Sequence, residues 1–343
     1  MENVNNKILL SEKSIVYVLS PAFYKTGGTE LLHQYVHVLN EHGIKAFITY
    51  IDATDDRNIN ESFSCYVKEF CNACDIVDSS SNVLIVPEVL TGYIKKFKNL
   101  RSVIWWESVD NYMLRVSPVF CFKKKRIRRG IKTIIDRLFR KTTDCWLSQL
   151  ALADYHFVQS YYALDYLKKR KITSNVFFVS DYLNPIYIEN KPSFSDRKDI
   201  VLFNPKKGYH FTKRIMKLDR LHKYLALTNM TNQQVFETLN SAKVYIDFGN
   251  HPGKDRFPRE AAKCGCCIIT NHEGSAGFYE DVPIPDKYKF KPKRKSIRAI
   301  IKTIDECIRD YELRISDFEY YRSFIDKEKD LFGKAVIGCY EIE

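Results

Sequence analysis

The chain has 343 residues, a formal net charge of +12, and a composition that is 45% hydrophobic, 14% aromatic and 28% charged. That length suits two domains of roughly 150 to 180 residues better than one, and the composition excludes a disordered chain, a collagen-like fibre and a membrane-embedded transporter. So large a positive surplus points to an anionic partner: nucleic acid, an acidic membrane, or a phosphorylated substrate.

Residues 1–20 (MENVNNKILLSEKSIVYVLS) carry acids early and only short apolar runs, unlike a secretory signal. No window reaches the ~18 uninterrupted apolar residues of a membrane-spanning helix. The expectation is a cytoplasmic chain whose ten cysteines are reduced thiols. Strand candidates follow at 14–20 (SIVYVLS), 46–50, 82–86 (NVLIV), 102–106 (SVIWW), 156–159 (HFVQ) and 176–179. Between the first two lies a helix at 30–42, whose Leu31, Leu32, Tyr35, Val36 and Leu39 recur at helical spacing, with Gly43 as its stop. Strands alternating with amphipathic helices predict an α/β fold with a parallel sheet covered on both faces.

A polar stretch with two prolines, 184–198 (NPIYIENKPSFSDRK), marks a linker, which places a first domain at 1–184 and a second from 198 to 315. The pattern then restarts with strands at 200–203, 224–227, 244–248 and 266–270 and helices at 232–239 and 259–264; from about 296 the chain is helical. Two similar Rossmann-like halves are expected to face a ligand across a cleft at the strand C-terminal ends. Cys71 and Cys74 form a CxxC without a second pair at zinc-finger spacing, and Cys264, Cys266 and Cys267 crowd one short stretch, so the cysteines are read as small buried apolar residues.

Three segments carry polar chemistry at strand ends. Residues 24–30 (YKTGGTE) follow the first strand and open the first helix. There Gly27 and Gly28 admit a ligand close to the backbone and the helix start favours phosphate, with Thr29 able to cap it. A plain tight turn explains the same residues. Residues 203–208 (FNPKKG) place Lys206 and Lys207 after the first strand of the second half, either to neutralise a diphosphate or as solvated loop lysines. Residues 247–280 join strand, Gly/Pro-rich loop, short helix, strand and a second Gly-containing loop. They hold His251, Lys254, Asp255, Arg256, Arg259, Glu260 and Ser275, and so many polar groups beside apolar strands are costly unless they meet a ligand.

With these residues the whole chain resembles GT-B-fold glycosyltransferases, especially glycosyltransferase family 4 of the bacterial surface-polysaccharide type. The Gly27–Gly28 loop matches that family's N-terminal Gly-Gly loop, and Lys207-Gly208 its basic residue before glycine, which holds the donor diphosphate. Glu260-Ala261-Ala262-Lys263-Cys264-Gly265 matches E-A-x-x-x-G, whose glutamate grips the nucleotide ribose, and the loop with Ser275 would lie against the phosphates. Where the family often carries a second glutamate eight positions earlier, this chain has Pro252. The resemblance implies a C-terminal helix within 316–343 that crosses back to the first domain. It also implies a nucleotide sugar as co-substrate, a glycan or lipid-linked acceptor, and retention of configuration.

In such enzymes a histidine or carboxylate near the end of the 102–106 strand contacts donor sugar or acceptor. Glu107 is the candidate here, as general base or as a sugar hydrogen-bonder, with Asp110 behind it. Trp105 and Trp106 alternate faces, one for the core and Trp106 for the acceptor side. Pro87–Glu88 ends another strand, with a helix-cap role equally open. No DxD-like metal motif stands at a strand end, so lysines and helix N-termini are expected to do the charge neutralisation, with no metal and no further cofactor.

The positive charge itself is concentrated. Residues 123–141 hold ten Lys/Arg and one acid, residues 287–302 hold eight and none, and together their +17 leaves the rest of the chain at −5. In 123–141 the apolar residues fall on one helical face, opposite cations that include Lys124, Arg128 and Lys132. That is the pattern of a helix lying on an anionic membrane, or of a helix packed on its own domain with a solvated basic face. The reading is therefore a peripheral enzyme on the cytoplasmic face of a membrane, with 287–302 as a possible second contact. A nucleotide-sugar epimerase on the same fold is the alternative. A nucleic-acid binder is disfavoured because the basic runs lack interleaved exposed aromatics and recognition motifs.

Overall fold

Short, fully buried strands build the first unit. The computed structural model describes residues 6–52, 63–139 and 144–343, and its contacts divide the chain into Met1–Asp181 with Asp330–Glu343, and Tyr182–Lys329. The first unit contains β1 (Ile8–Leu10), β2 (Val16–Ser20), α1 (Gly27–Glu41), β3 (Ala46–Tyr50), β4 (Phe70–Asn72), β5 (Val83–Pro87) and β6 (Arg101–Trp106). It continues through α2 (Val109–Val116), α3 (Pro118–Lys123), α4 (Ile127–Leu138), β7 (Tyr155–Val158), α5 (Tyr161–Lys168) and β8 (Val176–Phe178). Among the described residues, seven of these strands form one parallel sheet in the order β4-β3-β2-β5-β6-β7-β8. Every residue of β2 and β5 is buried, whereas the edge strands β4 and β8 are half exposed, as a parallel sheet covered on both faces requires. Sheet order reverses between β2 and β5.

The second unit runs through α6 (Pro185–Ile188), β9 (Lys198–Phe203), α7 (Tyr209–Leu218), β10 (Lys223–Ala226), α8 (Asn232–Ser241), β11 (Ala242–Asp247), α9 (Arg256–Lys263) and β12 (Cys267–Thr270). It then becomes helical: α10 (Ile297–Arg309), α11 (Tyr311–Ile315) and α12 (Glu319–Asp326). Its parallel sheet has the order β10-β9-β11-β12, with the reversal between β9 and β11. The core gathers Val201, Val244, Ile246 and Ile268 from the strands and Ile300, Ile304 and Cys307 from α10. Cys264, Cys266 and Cys267 are buried there, and burial pushes the Cys266 thiol up to about 12, which suits an inert apolar role.

Two boundary expectations change. The stretch 184–198 is part of the second unit and not a free linker. Leu183 and Tyr187 lie in its core, and the Arg197 guanidinium donates to the carbonyls of Leu239, Ala242 and Cys264 at the ends of α8 and α9. The return to the first unit begins at Asp330, not at 316, because Tyr321 and Ile325 of α12 are buried in the second core. Helix α13 (Glu328–Gly338) carries the chain back, and β13 (Tyr340–Ile342) pairs parallel with β1. The Tyr340 hydroxyl of β13 meets that of Tyr35 in α1 at 2.5 Å. Among the described residues no helix is long and apolar enough to cross a membrane.

Candidate functional site

In an open parallel sheet, ligands bind beyond the strand C-terminal ends where the strand order reverses. In the second unit those ends belong to β9 and β11. The loop after β9 turns on Asn204, whose side chain accepts from the Lys206 backbone N–H at 2.9 Å. It closes at Gly208, which begins α7 with φ +62°. A Cβ at Gly208 would collide with the backbone of Phe248 in the loop after β11, so only glycine lets the two loops touch. Lys206 is exposed and Lys207 is half-buried.

The loop after β11 is held by a buried chain of charges. Lys207 Nζ stands 2.5 Å from Asp255 Oδ1, Asp255 Oδ2 lies 2.9 Å from His251 Nδ1, and His251 Nε2 is 3.8 Å from Asp247 Oδ1. Asp247 also accepts from the Gly249 N–H at 2.8 Å and the Tyr245 hydroxyl at 3.2 Å. Burial disfavours the imidazolium of His251, but the carboxylates of Asp247 and Asp255 outweigh it and raise its pKa. Burial likewise works against ionised Asp255, yet the hydrogen bond from His251 and the Lys207 ammonium hold it below the usual carboxylate range. For Asp247 burial wins, and its pKa is raised. Asp247, His251 and Asp255 could present three ligand atoms to a metal ion within 4.8 Å of one another. The Lys207 ammonium and a proton-favouring His251 already supply positive charge at that spot.

A third loop, after β12, locks onto the second. Ser275 donates its hydroxyl to the Gly253 carbonyl at 2.6 Å and its N–H to His251 O at 2.9 Å, and Asn271 donates to Gly249 O at 2.7 Å. Ser275 is wholly buried, so its side chain serves loop closure and is not offered to a ligand. Glu260, half-buried in α9, is hydrogen-bonded by the Tyr187 hydroxyl, whose pKa burial and Glu260 both raise.

Lys254 and Arg259 take a different place from the phosphate-facing one expected of them. Lys254 Nζ lies 2.7 Å from Glu328 Oε1 and Arg259 Nη1 lies 2.8 Å from Glu328 Oε2. Arg259 is 0% and Glu328 3% exposed, so the two cations sit in a buried ion cluster with a carboxylate 69 residues from Arg259.

In the first unit the reversal falls between β2 and β5. Gly27 and Gly28 open α1 after β2, but the cap is Thr26, whose hydroxyl accepts from the Thr29 N–H at 3.2 Å while Thr29 Oγ1 accepts from the Thr26 N–H at 2.9 Å. Thr29 is thus the third helical residue and not the cap. The Glu107 carboxylate, at the end of β6, packs so closely on Gly28 that a Cβ there would strike Oε2. The Glu107 N–H donates to Glu88 Oε2 at 3.1 Å. Burial raises the Glu88 carboxyl to about 7, against the pull of its own backbone N–H, those of Glu107 and Ser108, and Arg115. Glu88 therefore ties down the backbone just before α2, whose N-cap is Ser108, and is not itself a helix cap. It is also a buried acid with a pKa near neutrality beside Glu107, a feature that strand-end position alone did not mark.

Asp110 is buried. It accepts from the Tyr162 hydroxyl at 2.7 Å and lies 3.5 Å from Lys124 Nζ, which ties α2 to α5 and to the end of α3. Trp106 does not line an acceptor surface: both tryptophans of β6 are 0% exposed. Trp106 donates Nε1–H to His156 Nδ1 at 3.1 Å, and burial lowers the His156 pKa to about 4, leaving the imidazole neutral to accept. The sheet is covered on both faces, so alternation sends one ring to each core. Arg128 and Lys132 stand exposed on α4; residues 140 and 141 of the basic segment lie outside the described residues.

No protein-family model matches the chain, and no curated protein matches its sequence. Solved structures do resemble its fold. Sucrose-phosphate synthase from Thermosynechococcus elongatus matches with a TM-score of 0.65 at 10% identity, over 94% of this chain and 96% of that one. Anabaena HepE in complex with UDP-glucose matches at 0.60 and 10% identity, over 94% and 98%. The lipopolysaccharide outer core galactosyltransferase WaaB in its apo form matches at 0.58 and 11% identity, over 95% and 99%. The fold is that of GT-B glycosyltransferases, two Rossmann-like units with parallel sheets.

Proposed function

We propose that the protein is a glycosyltransferase, on the pattern of glycosyltransferase family 4. It moves a sugar from a nucleotide-sugar donor to a glycan or lipid-linked saccharide in cell-surface polysaccharide synthesis. The observation that carries this reading is the arrangement at the β9/β11 reversal. There the lysine-bearing loop and the start of α9 meet, with Glu260 one turn into that helix. Lys206, Lys207 and the backbone of the 204–208 turn are the groups for the donor diphosphate. Glu260, oriented by Tyr187, is the acceptor for ribose hydroxyls. As the sugar bond breaks, negative charge grows on the leaving diphosphate, and a preorganised ammonium stabilises it without a metal. Asp255, backed by His251, fixes the position of the Lys207 ammonium. Glu107 is the carboxylate for the acceptor hydroxyl or the donor sugar, held against Gly28. The family pattern carries retention of configuration, and the reaction is placed at an anionic membrane surface, where a lipid-linked acceptor would be found.

A thermal-shift series with nucleoside diphosphates and nucleotide sugars tests the reading, because a ligand of the folded state raises its apparent stability. One donor class is expected to shift the melt, Glu260→Ala to abolish the shift, and Lys207→Ala to weaken binding by about ten- to hundred-fold, the worth of one charge-assisted contact. Failure of every nucleotide to shift the intact protein overturns it.

A further inference from the structure

Helix α4 is turned opposite to an ordinary surface helix. Gly130 and Thr133 are its buried residues, and Gly130 packs on the Phe122 ring of α3 so closely that a Cβ would collide. Ile127, Ile131, Ile134, Ile135 and Leu138 are left 39–74% exposed. At about 100° per residue these five occupy roughly 100° of the circumference, one continuous apolar stripe. Val119 and Phe122 of α3 add further exposed apolar surface, at 76% and 42%. Cations border the stripe: Arg128 and Lys132 on one side and Arg137 on the other, all exposed. Over 123–139 there are eight Lys/Arg and the single acid Asp136.

Helix α10 is the internal contrast. It follows the other basic run and is as amphipathic in sequence, yet its Ile297, Ile300, Ile304 and Ile308 are buried in the second core. Residues 291–295 before it are exposed and basic but carry no exposed apolar stripe. Charge alone therefore does not explain α4. Its small residues face inward and its large apolar ones face out.

We propose that α3 and α4 together are the surface by which the first unit seats on an anionic lipid bilayer. The isoleucine stripe enters the acyl boundary, and Arg128, Lys132 and Arg137 reach lipid phosphates. Charge complementarity selects this occupant. A stripe for a second copy of the same chain would bring two segments of strong positive surplus face to face, whereas a phosphate-rich interface neutralises them. A twelve-residue helix is about 18 Å long, enough to lie in the interface and too short to cross a hydrocarbon core of about 30 Å. Long basic side chains flanking an apolar stripe bury their stems and keep their charges at the headgroups. This deepens the functional reading above and rests on it only for the acceptor; lipid binding is measured without turnover.

The test is co-sedimentation of the full chain with vesicles of phosphatidylcholine alone and of phosphatidylcholine with phosphatidylglycerol. Binding is expected to the anionic vesicles only and to fall at high salt. Removing each bordering cation costs about five-fold, so Arg128→Gln with Lys132→Gln is expected to weaken binding on the order of 25-fold. Ile131→Asp with Ile135→Asp is expected to abolish it and to leave the nucleotide-induced melting shift intact, since both side chains are exposed. Three results would overturn the proposal: equal binding to neutral vesicles, retained binding by the isoleucine variant, or no vesicle binding together with a dimer that this variant dissolves. Vesicle binding without any nucleotide-induced shift would instead defeat the functional reading and leave this surface standing.

Discussion

Replacing Glu328 by alanine would leave two buried cations without their shared carboxylate. Glu328 is 3% exposed, Arg259 0% and Lys254 7%, and both contacts are direct, at 2.8 and 2.7 Å. Breaking a buried pair from one side costs about 3–5 kcal/mol, mostly as the penalty of the charges left behind. Arg259 Nη2 also reaches the Lys254 carbonyl at 3.3 Å, and Lys254 Nζ lies over the Phe324 ring at 5.3 Å, so part of the cations' solvation survives and the lower end applies. For a unit near 150 residues each kcal/mol moves the melting point by roughly 4 °C, so Glu328→Ala is expected to lower that of the second unit by about 12 °C. The assay can separate the units, because Trp105, Trp106 and Trp146 all lie within Met1–Asp181. Tryptophan fluorescence then follows the first unit alone, and far-ultraviolet circular dichroism follows both. An early dichroism transition with no fluorescence change is the expected result, and Glu328→Gln should fall between wild type and alanine. A loss under about 1 kcal/mol would refute the buried-cluster account and return Lys254 and Arg259 to the donor phosphates. In that case Glu328→Ala should also tighten nucleotide binding.

Three further predictions concern the loops. Gly208→Ala meets both a positive φ and the Phe248 backbone, so it is expected to cost more than about 2 kcal/mol and to lose nucleotide binding, read by urea denaturation and by the melting shift. Gly28→Ala strikes only the flexible end of Glu107, so stability should change by less than about 1 kcal/mol while transfer from a nucleotide sugar falls sharply with donor affinity kept. The raised pKa of His251 means its contribution is fully present below the unfolded value of 6.5 and lost as pH rises through the folded one. The lowered pKa of Asp255 works the other way: its contribution is present above 3.8 and lost as pH falls through its folded value. The stability gap between wild type and His251→Gln should therefore be widest between about pH 4 and 6.5 and shrink toward pH 9; a gap flat across that range would contradict the ionic network.

Much of the sheet was legible because buried parallel strands leave continuous apolar runs. Residues 46–50 are β3 as expected, and the other expected strands lie within a residue or two of those observed. The three-residue strands β1, β4 and β13 were missed although the equally short β8 was expected; β1 and β13 form by pairing across more than 300 residues, which no local pattern marks. The positions of Lys207 and Gly208 after a strand were likewise readable, whereas Glu260, expected to open its helix, lies one turn in because α9 already begins at Arg256. What was not readable is who partners whom. Lys254 and Ser275 lie in the expected loops and Arg259 in α9, but their partners Glu328 and the Gly253 carbonyl depend on tertiary closure. The adjacent rings of β6 failed for a related reason: period-two alternation shows that Trp105 and Trp106 point to opposite faces, not that both faces are covered.

The same limit governs the two basic segments. Period 3.6 in 127–138 and in 297–308 shows that each helix has an apolar side, and nothing in the period says whether that side meets a core or a membrane. On α4 the residues off the apolar stripe include Gly130 and Thr133, small groups that allow close helix approach, but α10 likewise carries Ala299 and Thr303 among the cations off its apolar side, so composition does not separate the two helices. The tertiary contacts do: Gly130 closes on the Phe122 ring of α3 and leaves the isoleucines of α4 outside, whereas Ile297, Ile300, Ile304 and Ile308 of α10 close on the second core.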